Sequence, residues 1–98
     1  MATDPNLRPL KPPEAKALAR EIAESGVVQF SRHALDEMKK DDLETTDCLN
    51  LLRAGLFEPP EYDKGEWRYR VCTPRMCIVV AFGSRTGLRV ITAWRSKR

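Results

Sequence analysis

Ninety-eight residues with a 42% hydrophobic share suffice for one small domain around a thin core. No apolar run approaches the roughly 18 residues of a membrane span, and the opening "MATDPNLRPLKPP" lacks the apolar stretch of a signal peptide. A helical membrane protein is excluded, and the expectation is a soluble, cytoplasmic protein.

Residues 1–12 are polar and Pro-rich and read as a mobile arm, leaving 13–98 as a single domain. "PPEAKALAREIAESG" predicts a first helix over 13–25. Pro13 suits a first helical position and Glu14 the positive helix end, while Ala15, Leu18, Ala19 and Ile22 recur at helical spacing. Gly26 stops it. "VVQF" is β-branched and aromatic and predicts a strand. Ser31 then caps a second helix, whose apolar stripe is Ala34, Leu35 and Met38. "TTDCLNLLRAG" predicts a third helix, capped by Thr45 or Thr46, with Cys48, Leu51 and Leu52 on one face and Gly55 at its end.

The remainder reads as β. "LFEPPEYDKG" holds two prolines and predicts an edge strand or a loop. "EWRYRVCT" alternates, with Trp67, Tyr69 and Val71 on one face and Arg68, Arg70 and Cys72 on the other. "TPRM" is a tight turn, "MCIVVAF" a central strand and "SRTG" a second turn. In "LRVITAW", strict alternation places Leu88, Val90, Thr92 and Trp94 on one face and Arg89, Ile91, Ala93 and Arg95 on the other. The expected architecture is α+β, with the N-terminal helices packed on one face of a three- or four-stranded antiparallel sheet.

Three cysteines, Cys48, Cys72 and Cys77, make an odd set that fits reduced thiols. Cys72 and Cys77 could face each other across a hairpin, yet "CTPRMC" lacks zinc-ligand spacing, so no metal site is expected. Charge is unevenly distributed. Residues 62–98 hold nine Lys or Arg against two acids, a balance of +7, whereas the rest of the chain stands at −4. The basic half interleaves Arg with Trp67, Tyr69 and Trp94, which suggests a surface for a polyanion; a well-solvated exterior is the plainer alternative.

The chain has no Gly-rich phosphate loop and one histidine, His33. One histidine, many arginines and a few aromatics suit RNA cleavage with neither metal nor cofactor. The substrate supplies its own nucleophile, the ribose 2′-OH. The enzyme must align the phosphate, move protons and stabilise the extra negative charge. Guanidinium groups fork onto phosphate oxygens, histidine titrates near neutrality, and aromatics stack unpaired bases. Against this, His33 also reads as a surface residue, and the aromatics as core. If the aromatic face of "EWRYRVCT" meets the helices, Arg68 and Arg70 line the face left for a substrate.

The stretches "FSRHALDEM" and "DCLNLLRAGLFEPPEYDKGEWRYRVCTPRMCIVVAFGSRTGLRVITAW" resemble small bacterial toxins of the RelE superfamily. Their layout is similar to MqsR-like toxins, to BrnT-like toxins, and to a group of unknown-function domains that open on S-x-H-A-x-x-x-M. The resemblance spans 13–98. It implies a RelE-like fold and an mRNA interferase, free or on the ribosome, paired with a cognate antitoxin protein in a type II toxin–antitoxin system. His33 matches the histidine of S-x-H-A; "RYRV" matches a strand that carries an active-site tyrosine in MqsR-like toxins, with Tyr69 or Arg68 at that place; "TAWR" matches a functional terminal strand. The expected catalytic set is therefore His33, Arg68, Tyr69 and Arg95, and the expected RNA-binding set Arg70, Arg89 and Trp94. The alternatives are a non-catalytic nucleic-acid-binding module and a basic protein-interaction domain of the same fold.

Overall fold

The structure, a computed structural model, describes residues 8–96. The elements run α1 (Pro12–Ser25), β1 (Val27–Phe30), α2 (Arg32–Lys40), α3 (Thr45–Ala54), β2 (Leu56–Phe57), β3 (Glu61–Asp63), β4 (Glu66–Cys72), β5 (Met76–Phe82) and β6 (Gly87–Arg95). Most of the arm expected at 1–12 lies outside the described residues. Within its last part, Leu10 is buried and its backbone N–H donates to the Tyr69 hydroxyl at 2.7 Å.

The helices follow from local signals. In α1, Pro12 and Pro13 occupy the first turn, Glu14 Oε1 accepts from the Lys11 N–H at 3.0 Å, and Ala15, Leu18, Ala19 and Ile22 are buried. The helix stops at Gly26, where a Cβ would collide with the Thr86 carbonyl. Ser31 caps α2, its hydroxyl accepting from the Ala34 N–H at 2.9 Å. The same hydroxyl donates to the Ile91 carbonyl at 2.8 Å and so ties the cap to β6. The cap of α3 is one residue earlier than Thr45: the Glu44 N–H donates to Asp47 Oδ2 at 2.8 Å.

The sheet differs from the expectation. It is an open, mixed sheet of six strands in the order β1-β6-β5-β4-β2, with β3 also on β4. β1 runs parallel to β6, pairing Val28 with Leu88 and Phe30 with Val90; the other pairs are antiparallel. With α2 and α3 intervening before the hairpins, β1 joins the far edge of the sheet, where Val28 and Phe30 pack partly buried against the core. Pro59 and Pro60 lack N–H donors, so the chain pairs with β4 in two short pieces on either side of them, β2 and β3.

One core cluster gathers Leu18 and Ile22 of α1, Ala34 and Met38 of α2, Leu51 and Leu52 of α3, and alternate strand positions. Those strand positions are Tyr69 and Val71, Ile78, Val80 and Phe82, and Leu88, Val90 and Ala93. β6 departs from strict alternation. Val80 pairs with Val90 but Val79 with Thr92, so Ile91 is an extra residue, a β-bulge. The bulge reverses the expected order beyond it. Ala93 turns to the core, and Thr92 and Trp94 join Arg89 on the opposite, polar face.

Cys72 and Cys77 lie directly opposite each other on β4 and β5, with Cα atoms 4.1 Å apart, and form a disulfide. This corrects the expectation of three reduced thiols, which rested on the odd count, while the two cysteines do face each other across the hairpin as the sequence allows. Only Cys48 is a free thiol, buried in α3. Closing so short a loop is expected to contribute about 2 kcal/mol. Melts with and without a dithiol reductant should therefore differ by roughly 10 °C in Tm; coincident melts would show that the cysteines are free in solution. Among the described residues no helix is long and apolar enough to cross a membrane.

Candidate nucleic-acid interface

The pleat of β4 sends Tyr69 and Val71 into the core and Arg68, Arg70 and Cys72 to the polar face. Neighbouring strands extend this face in rows. Arg70 pairs in register with Val79, and Val79 with Thr92; on the other side the Glu58 N–H donates to the Arg70 carbonyl at 3.0 Å. The next row is Cys72, Cys77 and Trp94. The arginines, the disulfide and Trp94 thus share one surface, and Trp94 reaches it only because of the bulge at Ile91.

The arginines are not equivalent. Glu66, the first residue of β4, accepts from Arg68 Nη2 at 2.9 Å and from Arg89 Nη2 at 2.9 Å. Asp63 accepts from Arg68 Nη1 at 3.1 Å. Two carboxylates therefore neutralise two guanidinium groups. Arg70 is exposed and makes no ion pair among the described residues; its guanidinium lies over the Trp94 ring, 5.7 Å from the centroid. That arrangement is a cation–π contact, which orients the guanidinium without consuming its donors.

Beside Arg70 is a cavity of about 420 Å³. Val79, Ile91 and Thr92 line it from the sheet, Arg68 and Arg70 from β4, and Glu58, Pro59, Glu61, Tyr62 and Asp63 from the segment around β3. Tyr62 is 61% exposed and meets Trp67 edge-on, with centroids 5.0 Å apart. Glu58 is half-buried, and its carboxylate has no hydrogen-bond or ion-pair partner among the described residues. Among those residues no three His, Cys, Asp or Glu side chains converge as a metal-binding group.

Three of the expected catalytic residues lie elsewhere. Tyr69 is fully buried on the core face, its ring edge-on to Phe82 at 5.3 Å and its hydroxyl holding Leu10. Burial pushes its phenol up, against the opposing effect of the Leu10 hydrogen bond. Stacking on a base or passing a proton to RNA requires contact that this position denies, so Tyr69 is a core residue. Arg95 follows the core-side register beyond the bulge, opposite Met76. Its guanidinium donates to the carbonyls of Asp41 and Asp42 at 3.1 and 3.0 Å, and its N–H to Asp41 Oδ2 at 2.8 Å. It therefore satisfies carbonyls at the C-terminal end of α2, where a cation also meets the negative end of the helix dipole. His33 is exposed in the first turn of α2 and does not line the cavity.

Arg68, Arg70, Arg89 and Trp94 are brought together, and Glu58, Tyr62, Asp63 and Glu66 join them unforeseen. A signal for these existed: the only two acids of the basic half are Asp63 and Glu66, and Glu58 precedes a double proline that pins its backbone. Chemically, the surface offers one guanidinium free of carboxylates for a phosphate, the exposed Tyr62 and half-buried Trp94 rings for bases, and two carboxylates, Glu58 and Glu61, without ion pairs among the described residues.

The chain belongs to the family described as Domain of unknown function (DUF4258), whose model matches residues 30–95. That span begins at the last residue of β1 and ends with β6, so it contains Arg68, Arg70, Arg89 and Trp94 and leaves α1 outside. The family description names no activity and no toxin. No curated protein and no solved structure matches the chain.

Proposed function

We propose that the protein is an endoribonuclease that binds single-stranded RNA across the polar face and cuts it by attack of the ribose 2′-OH, without a metal. The observation that carries this reading is Arg70, an exposed guanidinium free of carboxylates, set over Trp94 at the edge of the cavity. A planar cation beside an aromatic ring matches the two features of a single strand, its phosphates and its unpaired bases. Arg68 and Arg89, tied to Glu66, shape the face more than they neutralise RNA. The resemblance to RelE-superfamily toxins extends the proposal to the toxin of a type II pair, acting on mRNA in the cytoplasm and silenced by a cognate antitoxin.

Purified protein incubated with a long, unstructured RNA is expected to yield fragments ending in 2′,3′-cyclic phosphate or 3′-phosphate, at equal rates with and without EDTA. Loss of cleavage in EDTA and recovery with magnesium would overturn the metal-free mechanism. Binding with no cleavage would leave a nucleic-acid-binding module, and neither binding nor cleavage a protein-interaction domain.

A further inference from the structure

We infer that Glu58 is the general base that activates the ribose 2′-OH, an inference that rests on the RNA-cleavage reading above. The cavity offers few groups able to take a proton. Asp63 is engaged by Arg68. Glu61 and Tyr62 are exposed on β3. Glu66 holds two arginines. Glu58 alone combines partial burial, a place in the cavity lining and a carboxylate that no arginine or donor occupies.

Its backbone is also fixed. The Glu58 N–H donates to the Arg70 carbonyl at 3.0 Å, and Pro59 follows directly, which restricts Glu58 to extended conformations. The backbone of Glu58 is thereby set on the strand position next to Arg70, and its carboxylate forms no ion pair with that arginine. A base and a phosphate-binding cation adjacent but unpaired are what in-line transfer needs, because an ion pair would satisfy each with the other instead of with substrate.

With the phosphodiester on Arg70, the Glu58 carboxylate takes the proton of the 2′-OH. The 2′ oxygen forms its bond to phosphorus as the bond from phosphorus to the 5′ oxygen breaks. The leaving 5′ oxygen takes a proton from solvent, and Glu58 returns its own to water. The products are a 2′,3′-cyclic phosphate and a 5′-hydroxyl, with no oxidant, reductant or metal consumed.

The test uses the full chain, a fluorescent single-stranded RNA oligonucleotide for single-turnover cleavage, and its fully 2′-O-methylated form for binding. Glu58→Gln is expected to slow cleavage by about 10²- to 10⁴-fold, with the Kd for methylated RNA within about threefold of the parent. Glu58→Asp, which keeps the carboxylate but shortens its reach, should fall between them and guards against a folding defect in the amide variant. Thermal melts of all three accompany the assays. A Glu58→Gln protein that cleaves within threefold of the parent overturns the assignment while leaving the endonuclease reading intact. So does one whose binding weakens as much as its cleavage, since Glu58 would then be an RNA contact and not a base. A parent protein that cleaves no RNA overturns both.

Discussion

Arg70→Ala is expected to slow RNA cleavage by about 10²- to 10³-fold, the usual cost of removing one preorganised donor to developing charge, and to weaken binding by about tenfold or more. Arg68→Ala and Arg89→Ala should do less. Their guanidinium groups already donate to Glu66 and Asp63, at 2.9–3.1 Å, and offer few free donors to a phosphate. Each of the three replacements removes one positive charge, so net charge alone would make them equal. Salt titration separates the two accounts. If Arg70 neutralises one phosphate of a single strand, its removal should flatten the log–log slope of affinity against salt by about 0.7, with a smaller change for the other two. Arg70→Lys should restore much of the slope but less of the rate, because an ammonium keeps the charge and lacks the planar fork. Equal losses for all three alanine variants would show that RNA reads the overall field of the face and that Arg70 has no privileged role.

This ranking was not legible in the chain. Arg68, Arg70, Arg89 and Arg95 look alike in a sequence, and their differences come from partners far along it. Glu66 is 23 residues from Arg89, and Asp41 is 54 residues from Arg95. What could be read was local. The stripe Ala15, Leu18, Ala19 and Ile22, the cap at Ser31, and the alternation of "EWRYRV" depend on contacts within one or two turns or on the pleat itself. What could not be read was register. One extra residue at Ile91 moves Trp94 to the face of Arg70 and Arg95 away from it. A bulge is set by how two strands pack on a common core, so no pattern in "LRVITAWR" announces it. Glu58 was hidden in another way. Its segment reads as a proline-broken edge, and only the closure of β3 over β4 makes that edge a cavity wall.

Tyr69→Ala is expected to remove a large share of the stability of the fold. The ring is fully buried against Phe82, at the centre of the core cluster. Truncating a buried aromatic typically costs about 3–5 kcal/mol, against a total of roughly 5–15 kcal/mol for a small domain. Tyr69→Phe keeps the ring and deletes only the hydroxyl that accepts from the Leu10 N–H. Leaving that buried donor unpaired should cost about 1–3 kcal/mol, and it should release the chain ahead of α1, which limited proteolysis would detect. Alkali offers an independent check. Burial raises the Tyr69 phenol, and burial followed by the Asp47 charge pushes the Cys48 thiol up to about 11. Both groups bind their protons more tightly folded than unfolded. The stability they contribute is complete below their unfolded values and is lost as pH rises through the raised ones. For Cys48 that decline begins near its ordinary value of 9.0, so urea midpoints should fall from there upward, and Tyr69→Phe should remove the tyrosine share of the fall. If instead Tyr69→Phe melts like the parent yet cleaves RNA a hundredfold more slowly, the hydroxyl acts on substrate and the core role argued from its burial is wrong.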